Sequence, residues 1–305
     1  MKVIAAYDAE PCSRLALEQL ADAALPDHAE IIVVSFADLL LPPGSAIGDM
    51  ALGIGLPEPV IDMHRAAKAL ADIATERAEA GAAIVRSLGK PWAVSSRSIA
   101  DTPSWGLVQL AEDEKADLII TGSHNRSGVA RFFLGSVAQK AIQEAPCSVR
   151  IVRPLPSPAS HRVLIGVDGS AACTAAIKAI AERPWPADTE FSCITVIDSQ
   201  FISASLWQTF TGTPILAESV RHESEAARAV LDDATAILAA RGFSAATIIA
   251  HGDPREIIPQ HAEDLGVSCL MIAARGRHHA ERRHLGTVAA AIPTRAHCTV
   301  EVVRA

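Results

Sequence analysis

The chain has 305 residues, about two domains' worth, because compact domains commonly contain roughly 100–200 residues. Half of the residues are hydrophobic and 20% are charged, a composition typical of a protein with a sizeable buried core. The formal net charge is −8 and the sequence contains no Lys/Arg cluster, which argues against a nucleic acid partner. Only 4% of the residues are aromatic, so few platforms exist on which bases could stack.

The N-terminal residues Met1–Ile4 lead directly into a predicted strand, so we expect no signal peptide. The nearest candidate for a membrane span is Leu39–Ile61, but it contains Asp49, Glu58 and several prolines. We therefore expect no membrane partner and predict a cytoplasmic protein.

Short apolar runs alternate with segments of helical spacing along the chain. In the second half, apolar residues recur every three or four positions between Val220 and Leu238, and Gly242 follows as a helix stop. The runs of the first half lack strict alternation, which is typical of strands buried on both faces. These runs are Val3–Ala6, Ile31–Phe36, Leu118–Thr121 and Val149–Val152. The order predicts α/β domains, each a doubly wound, parallel, five-stranded sheet with helices on both faces.

The chain contains an internal repeat. Asp8 matches Asp168 at an offset of 160 residues, whereas Gly135 matches Gly286 at an offset of 151 residues. The first copy is therefore nine residues longer in its middle, where the Gly/Pro-rich loop Leu41–Val60 lies. The sequence leaves open whether this loop is a lid, a partner surface or an ordinary insertion. We predict domain 1 at residues 1–153, a semi-rigid proline-rich linker at 154–160 and domain 2 at 161–305.

The cysteines show no Cys-x-x-Cys spacing, and most lie in apolar runs with small neighbours. They are Cys12, Cys147, Cys173, Cys193, Cys269 and Cys298. We expect small buried side chains with free thiols, with metal binding or a redox role as the alternative. His278, His279 and His284 have no Cys or carboxylate at ligand spacing, so we predict polar loop residues and no protein-bound transition metal.

The candidate site lies beyond the carboxyl ends of strands one and four, because ligands of open parallel sheets bind where the strand order reverses. Strand one is followed by Asp8 in the first copy and by Asp168 in the second. Strand four is followed in both copies by a loop that ends in Gly-Ser or Gly-Thr at the start of a helix. Free N–H groups and a hydroxyl at a helix start suit a phosphate. The sequence contains neither a Walker loop nor a Gly-x-Gly-x-x-Gly fingerprint after strand one.

These loops resemble the motif of the universal stress protein family, which is Gly-x-x-Gly, nine further residues, then Gly-Ser/Thr. The family also has an aspartate at the end of strand one. Asn125 replaces the second glycine in the first copy, and Ala273 replaces the first glycine in the second copy. The matching positions are Gly122, Gly135 and Ser136 in the first copy and Gly276, Gly286 and Thr287 in the second. The resemblance covers nearly the whole chain twice and implies a tandem member with a Rossmann-like, adenine nucleotide alpha hydrolase-like fold.

Members of this family divide into those that bind ATP or AMP and those that bind no nucleotide. For a member of the first kind, the resemblance implies ATP or AMP as ligand, with Mg²⁺. The implied positions in the first copy are Asp8, the backbone of Phe36, Gly122, Asn125, Gly135, Ser136 and Val137. Those in the second copy are Asp168, Val196, Ala273, Gly276, Gly286, Thr287 and Val288. We favour the first copy, because Asn tolerates a left-handed backbone and Asn125 can keep the loop shape. The alternative is that these glycines only form turns and N-caps.

Two classes of function fit these features. We predict a nucleotide-binding regulatory protein of the stress response, and the alternative is a protein-interaction module that binds no nucleotide. The chain lacks a Gly-x-Ser-x-Gly elbow and a His-Glu-x-x-His motif, so we expect at most a weak ATPase. An adenylate-forming or ATP-pyrophosphatase enzyme is disfavoured, because neither Asp8–Ser13 nor Asp168–Ser170 matches the Ser-Gly-Gly-x-Asp-Ser loop of such enzymes.

The last strand of each copy corresponds to the strand through which family members dimerise. These strands are Ser148–Arg153 and Thr299–Arg304. We predict that the two domains pair through them in antiparallel fashion within one chain, which would also protect both sheet edges. A homodimer is a further expectation.

Overall fold

The computed structural model describes residues 1–38, 58–123, 134–154, 161–198, 214–276 and 285–305, without the side chains of residues 58–61, 63–64 and 214–220. They form two compact units. The first unit comprises the described parts of Met1–His124 and Gly135–Cys147. The second unit comprises the described parts of Asn125–Leu134 and Ser148–Ala305.

Some of the predictions fall on residues that are not described. Asn125 and the three histidines His278, His279 and His284 lie outside the described residues. The linker beyond Pro154 also lies outside them, as does the loop Leu41–Val60 up to residue 57. A helix begins at Glu58.

The first unit alternates strands with helices. Its strands are β1 (Lys2–Ala6), β2 (Glu30–Ala37), β3 (Ala93–Ala100) and β4 (Leu118–Gly122). Its helices are α1 (Pro11–Glu18), α2 (Glu58–Ser87), α3 (Pro103–Asp113) and α4 (Ser136–Glu144), with a 3₁₀ segment at Gln19–Ala23. The strands are parallel and lie in the order β3-β2-β1-β4. The winding therefore reverses between β1 and β4.

The second unit repeats this plan and adds two strands. Its strands are β5 (Ser148–Val152), β6 (Arg162–Gly166), β7 (Glu190–Ile197), β8 (Ala245–His251), β9 (Cys269–Ala273) and β10 (Thr299–Val303). Its helices are α5 (Ala171–Ala181), α6 (Pro214–Ala239), α7 (Pro254–Asp264) and α8 (Thr287–Arg295). The strand order is β5-β10-β9-β6-β7-β8, with β5 antiparallel to β10 and the other neighbours parallel.

The burial of the strands explains their apolar runs. Val3, Ile4 and Ala5 of the central strand β1 are 0% exposed, so both faces of this strand are covered. The edge strand β3 instead exposes most of its side chains, which accounts for its polar composition. The predicted α/β architecture is confirmed, and its strands are mostly parallel, with the β5–β10 pair as the antiparallel exception.

The helix boundaries follow local chemistry. The helices α1, α3 and α7 begin with proline in their first turn, where a missing N–H costs nothing. Helix α6 ends at Ala239, and Gly242 follows at a φ of +84°, a conformation that glycine adopts without strain. Among the described residues, no helix is both long and apolar enough to span a bilayer.

Candidate functional site

In the second unit, the ends of the neighbouring strands β6 and β9 bring three of the predicted residues together. Asp168 follows β6, and a Cβ atom placed on Gly276 would lie only 2.7 Å from its Oδ2 atom. Gly276 therefore packs directly against the carboxylate. The N–H of Gly286 donates to the carbonyl oxygen of Ala274 at 2.9 Å, which holds the start of α8 beside the same loop.

The turn after β6 is shaped by Asp168 itself. Its Oδ1 atom accepts a hydrogen bond from the N–H of Ser170 at 2.9 Å. The hydroxyl oxygen of Ser170 in turn accepts from the N–H of Cys173 at 3.1 Å, so Ser170 caps helix α5. Gly169 between them has a φ of +75°. One carboxylate oxygen thus organises the turn while the other faces Gly276.

Charged residues follow the next two strands of this sheet. After β8, the Nε atom of Arg255 donates to both carboxylate oxygens of Asp253 at 2.9 Å, and Nη2 donates to Oδ2 at 2.5 Å. The Arg255 guanidinium holds the pKa of Asp253 below its ordinary value, and Asp253, with a smaller contribution from Asp198 after β7, raises that of Arg255. Sequence reasoning missed this pair, although the Asp-Pro-Arg tripeptide directly after a strand was a visible signal.

One predicted position in each unit, Phe36 on β2 and Val196 on β7, lies near the carboxyl end of its strand. Val196 of β7 pairs with Ala250 of β8 and is half-buried. Phe36 of β2 pairs with Ile99 of β3, and its ring packs against Gly106 of α3, with Cε1 2.6 Å from where a Cβ atom of Gly106 would be. The side chain of Phe36 is therefore used in packing, which leaves its backbone as the part relevant to a ligand.

In the first unit, the aspartate after β1 is engaged by its own chain. The hydroxyl of Ser13 donates to Oδ1 of Asp8 at 2.6 Å, and the N–H of Glu10 donates to the same oxygen at 3.1 Å. Ser13 is buried, so its bond with Asp8 is shielded from solvent. Ala9, the residue between, has a φ of +68°.

Gly122 at the end of β4 allows helix α1 to approach closely. A Cβ atom on Gly122 would lie 2.4 Å from the carbonyl oxygen of Cys12 and 2.9 Å from the backbone nitrogen of Ser13. Only glycine fits against backbone atoms at that distance. In this unit the first glycine of the motif therefore has a packing role, whereas the second unit has Ala273 at the same position.

The two helix starts after the loops have matching backbone geometry. Gly135 before α4 has φ −62° and ψ 155°, and Gly286 before α8 has φ −67° and ψ 153°. Both glycines are buried, and the following residues, Ser136 and Thr287, are exposed. Val137 and Val288 come next and are half-buried.

The six cysteines all lie among the described residues and form no disulfide bond, and five of them are buried as predicted. Burial raises the pKa of the Cys173 thiol to about 11 and that of Cys193 to about 12, so both stay protonated at neutral pH. Cys12, in the first turn of α1, departs from the prediction and is half-exposed. Among the described residues, no group of three or more His, Cys, Asp or Glu side chains is arranged to hold a metal ion.

Comparison with known proteins gives a consistent result. The sequence profile of the Universal stress protein family matches residues 1–153 and again residues 159–304. A universal stress protein of Bacillus subtilis is 27% identical over 149 residues, which are 47% of this chain and 99% of that protein. A universal stress protein of Methanocaldococcus jannaschii is 35% identical over 71 residues, which are 23% of this chain and 42% of that protein. One of Thermus aquaticus is 47% identical over 51 residues, which are 17% of this chain and 37% of that protein. The chain thus spans less than half the length of these last two relatives.

Among solved structures, a universal stress protein from Archaeoglobus fulgidus matches with a TM-score of 0.61 at 18% identity. The match covers 99% of this chain and 96% of that chain, and it supports the fold. Because the family profile matches both repeats over nearly their full length, the chain belongs to the universal stress protein family as a tandem member.

Proposed function

We propose that the chain is a regulatory protein of the stress response that binds an adenine nucleotide of the ATP or AMP type. The convergence of Asp168, Gly276 and the start of α8 in the second unit carries this proposal. A carboxylate beside a bare stretch of backbone and a helix N-terminus combines acceptors for ribose or base with donors for phosphate. Occupancy of the site would then bias conformation or partner choice.

Each predicted site residue of the second unit has a role in this proposal. Asp168 accepts hydrogen bonds from the ribose or base, and Val196 contributes backbone near the adenine. Ala273 and Gly276 line the phosphates, and Gly286, Thr287 and Val288 donate to them. Mg²⁺ enters with the phosphate groups, so the protein need not supply a metal cluster of its own. A weak ATPase activity is compatible with this arrangement.

The matching positions of the first unit form the second proposed site. These positions are Asp8, Phe36, Gly122, Asn125, Gly135, Ser136 and Val137. The hydroxyl of Ser13 already bonds Asp8, and the carbonyl of Cys12 fills the space beside Gly122. We therefore favour the second unit as the one occupied first. The sequence preference for the first copy depended on Asn125, which is outside the described residues.

The test begins with the wild-type protein. Acid extraction followed by chromatography is expected to release ATP, ADP or AMP, and calorimetry is expected to show binding of ATP with Mg²⁺. An empty extract together with no heat at millimolar nucleotide would refute nucleotide binding.

Two equivalent substitutions then locate the site. Gly286→Arg is expected to abolish most of the binding heat, whereas Gly135→Arg, the matched variant of the first unit, is expected to leave it. Gly286→Ala is the control, because a Cβ atom there would be 3.5 Å from the Ala274 carbonyl oxygen, an ordinary contact. Circular dichroism verifies that each variant is folded. Loss of binding in Gly135→Arg alone would assign the nucleotide to the first unit.

The second candidate function is a protein-interaction module without nucleotide. Large exposed apolar side chains in the first unit favour it: Trp105 is 58% exposed, and Leu70 and Ile73 lie exposed on α2. The ammonium nitrogen of Lys140 lies 3.4 Å from the centre of the Trp105 ring, an aromatic–cation pair suited to a partner surface. The same extraction and calorimetry distinguish this candidate from the first.

We also propose that the two domains pair within one chain through their last strands. The antiparallel pairing of β5 with β10 in the second unit supports this proposal. Homodimerisation and a cytoplasmic location stay predictions.

A further inference from the structure

A buried charge cluster lies where the last strands of the two repeats meet in the second unit. Nη1 of Arg150 on β5 donates to Oε2 of Glu301 on β10 at 3.2 Å. Nη1 of Arg183, which follows α5, donates to the same oxygen at 3.0 Å, and its Nη2 donates to Oε1. The side chains of Arg150, Arg183 and Glu301 are 3%, 9% and 0% exposed.

The central pair sits on the symmetry of the repeat. Arg150 and Glu301 are opposite each other in the β5–β10 ladder, and they also occupy equivalent positions of the repeat, 151 residues apart. The flanking hydrogen bonds obey the same symmetry. The N–H of Arg153 donates to Oγ1 of Thr299 at 3.2 Å, and the N–H of Arg304 donates to Oγ of Ser148 at 3.0 Å.

Apart from the charges, the two strands present nearly equivalent pairing surfaces. Val149 is opposite Val302 and Ile151 is opposite Val300, all of them buried. Backbone and apolar contacts would therefore also permit either strand to pair with a second copy of itself. In the same register, a second copy of β5 would place Arg150 opposite Arg150, and a second copy of β10 would place Glu301 opposite Glu301. Like charges directly opposite each other destabilise a ladder, most strongly when they are buried.

Because of Arg183, the two repeats contribute different charges to the cluster. The residue at its position in the first repeat is Ala23, 160 residues earlier, so the first repeat supplies one cation and the second supplies an anion and a cation. Glu301 therefore keeps one counter-ion even without Arg150.

We infer that Arg150 and Glu301 are the residues that select the partner of β5, making β10 of the same chain its complement and a second copy of β5 a poor one. The selection acts through charge, because the surrounding contacts fit either partner. This inference concerns pairing and is independent of the nucleotide proposal.

The test compares two replacements of Arg150 in the full chain. Arg150→Met keeps the bulk and leaves the neutral Glu301–Arg183 pair, so the unfolding equilibrium constant is expected to change by less than about 10-fold. Arg150→Glu places a carboxylate opposite Glu301 and is expected to raise that constant by about 100-fold or more. Arg162→Glu is the matched control, because Arg162–Glu190 is an exposed cross-strand pair of the same sheet and its loss is expected to cost less than about 5-fold.

The charge-reversed double variant Arg150→Glu/Glu301→Arg checks that the effect belongs to the pair. It is expected to recover at least about 10-fold of the loss seen for Arg150→Glu, because opposite charges face each other again. Hydrogen exchange on peptides that cover β5 and β10 is expected to lose protection in Arg150→Glu and regain it in the double variant, while β6 and β7 stay protected. Equal losses for the Met and Glu replacements, or no recovery in the double variant, would overturn the inference.

Discussion

The turns after β1 and after β6 share a backbone conformation but differ in side chains. In both, the aspartate Oδ1 accepts from the N–H two residues later, at 3.1 Å in the first unit and 2.9 Å in the second. In both, the intervening residue is left-handed, with φ +68° at Ala9 and +75° at Gly169. The second unit uses glycine where the backbone requires it, and the first unit carries the strain of alanine.

The side chains that follow divide the work differently. Position 13 of the first repeat is Ser13, whose hydroxyl bonds Asp8, whereas the equivalent residue of the second is Cys173, which leaves capping to Ser170. Glu10, at the position of Ser170, forms no side-chain cap. The same turn geometry therefore serves two arrangements. In the first unit the aspartate is hydrogen-bonded by a side chain of the helix that follows it, and in the second unit one aspartate oxygen faces the glycine loop.

Among the variants that test the difference between the two units, Gly122→Ala is expected to have the largest effect on the free energy of unfolding. The added methyl group would meet backbone atoms of Cys12 and Ser13, so α1 must move, at a cost of about 3 kcal/mol in the free energy of unfolding. Urea unfolding of the full chain measures this loss. The converse variant Ala273→Gly is the control and is expected to cost about 1 kcal/mol or less. Equal costs at both positions would mean that the two units do not differ in helix approach.

Ser13→Ala is expected to have an intermediate effect. It removes a hydrogen bond to a carboxylate from a buried hydroxyl, which lowers the free energy of unfolding by about 1.5 kcal/mol. Ser13→Cys, which copies the second unit, keeps the volume and should cost less, as measured by the same urea titration. A cost for Ser13→Cys as large as for Ser13→Ala would show that the hydroxyl bond, and not the packing, accounts for the whole effect. No cost for either variant would contradict the internal role of Ser13.

The left-handed residues give the smallest effects, and these have opposite signs. Gly169→Ala introduces left-handed strain and is expected to lower the free energy of unfolding by about 1 kcal/mol. Ala9→Gly relieves that strain but frees the unfolded chain, so a net gain of about 0.5 kcal/mol is expected. Thermal unfolding of the two variants beside wild type tests both signs. Destabilisation by Ala9→Gly would show that the first turn holds its alanine without strain.

The sequence was a good guide to the elements and to the repeat. Uninterrupted apolar runs predicted buried parallel strands, and the repeat offsets predicted equivalent helix starts at Gly135 and Gly286, whose backbones do match. The Arg255–Asp253 pair could not be ranked from sequence, because its place relative to the other strand ends depends on where β8 lies in the sheet. The packing role of Gly122 was likewise hidden, since a glycine that admits a ligand and one that admits a helix look the same in a motif.

By itself, the sequence determined the family, the duplication and the alternation of strands and helices, because these depend on periodicity and spacing along the chain. Only the tertiary structure decided which atoms meet at the strand ends. It brought Asp168 against Gly276, Gly122 against Cys12 and Arg150 against Glu301. The physical reason is that such contacts depend on strand order and on how closely the helices approach the strands, which residues far apart in the chain fix together.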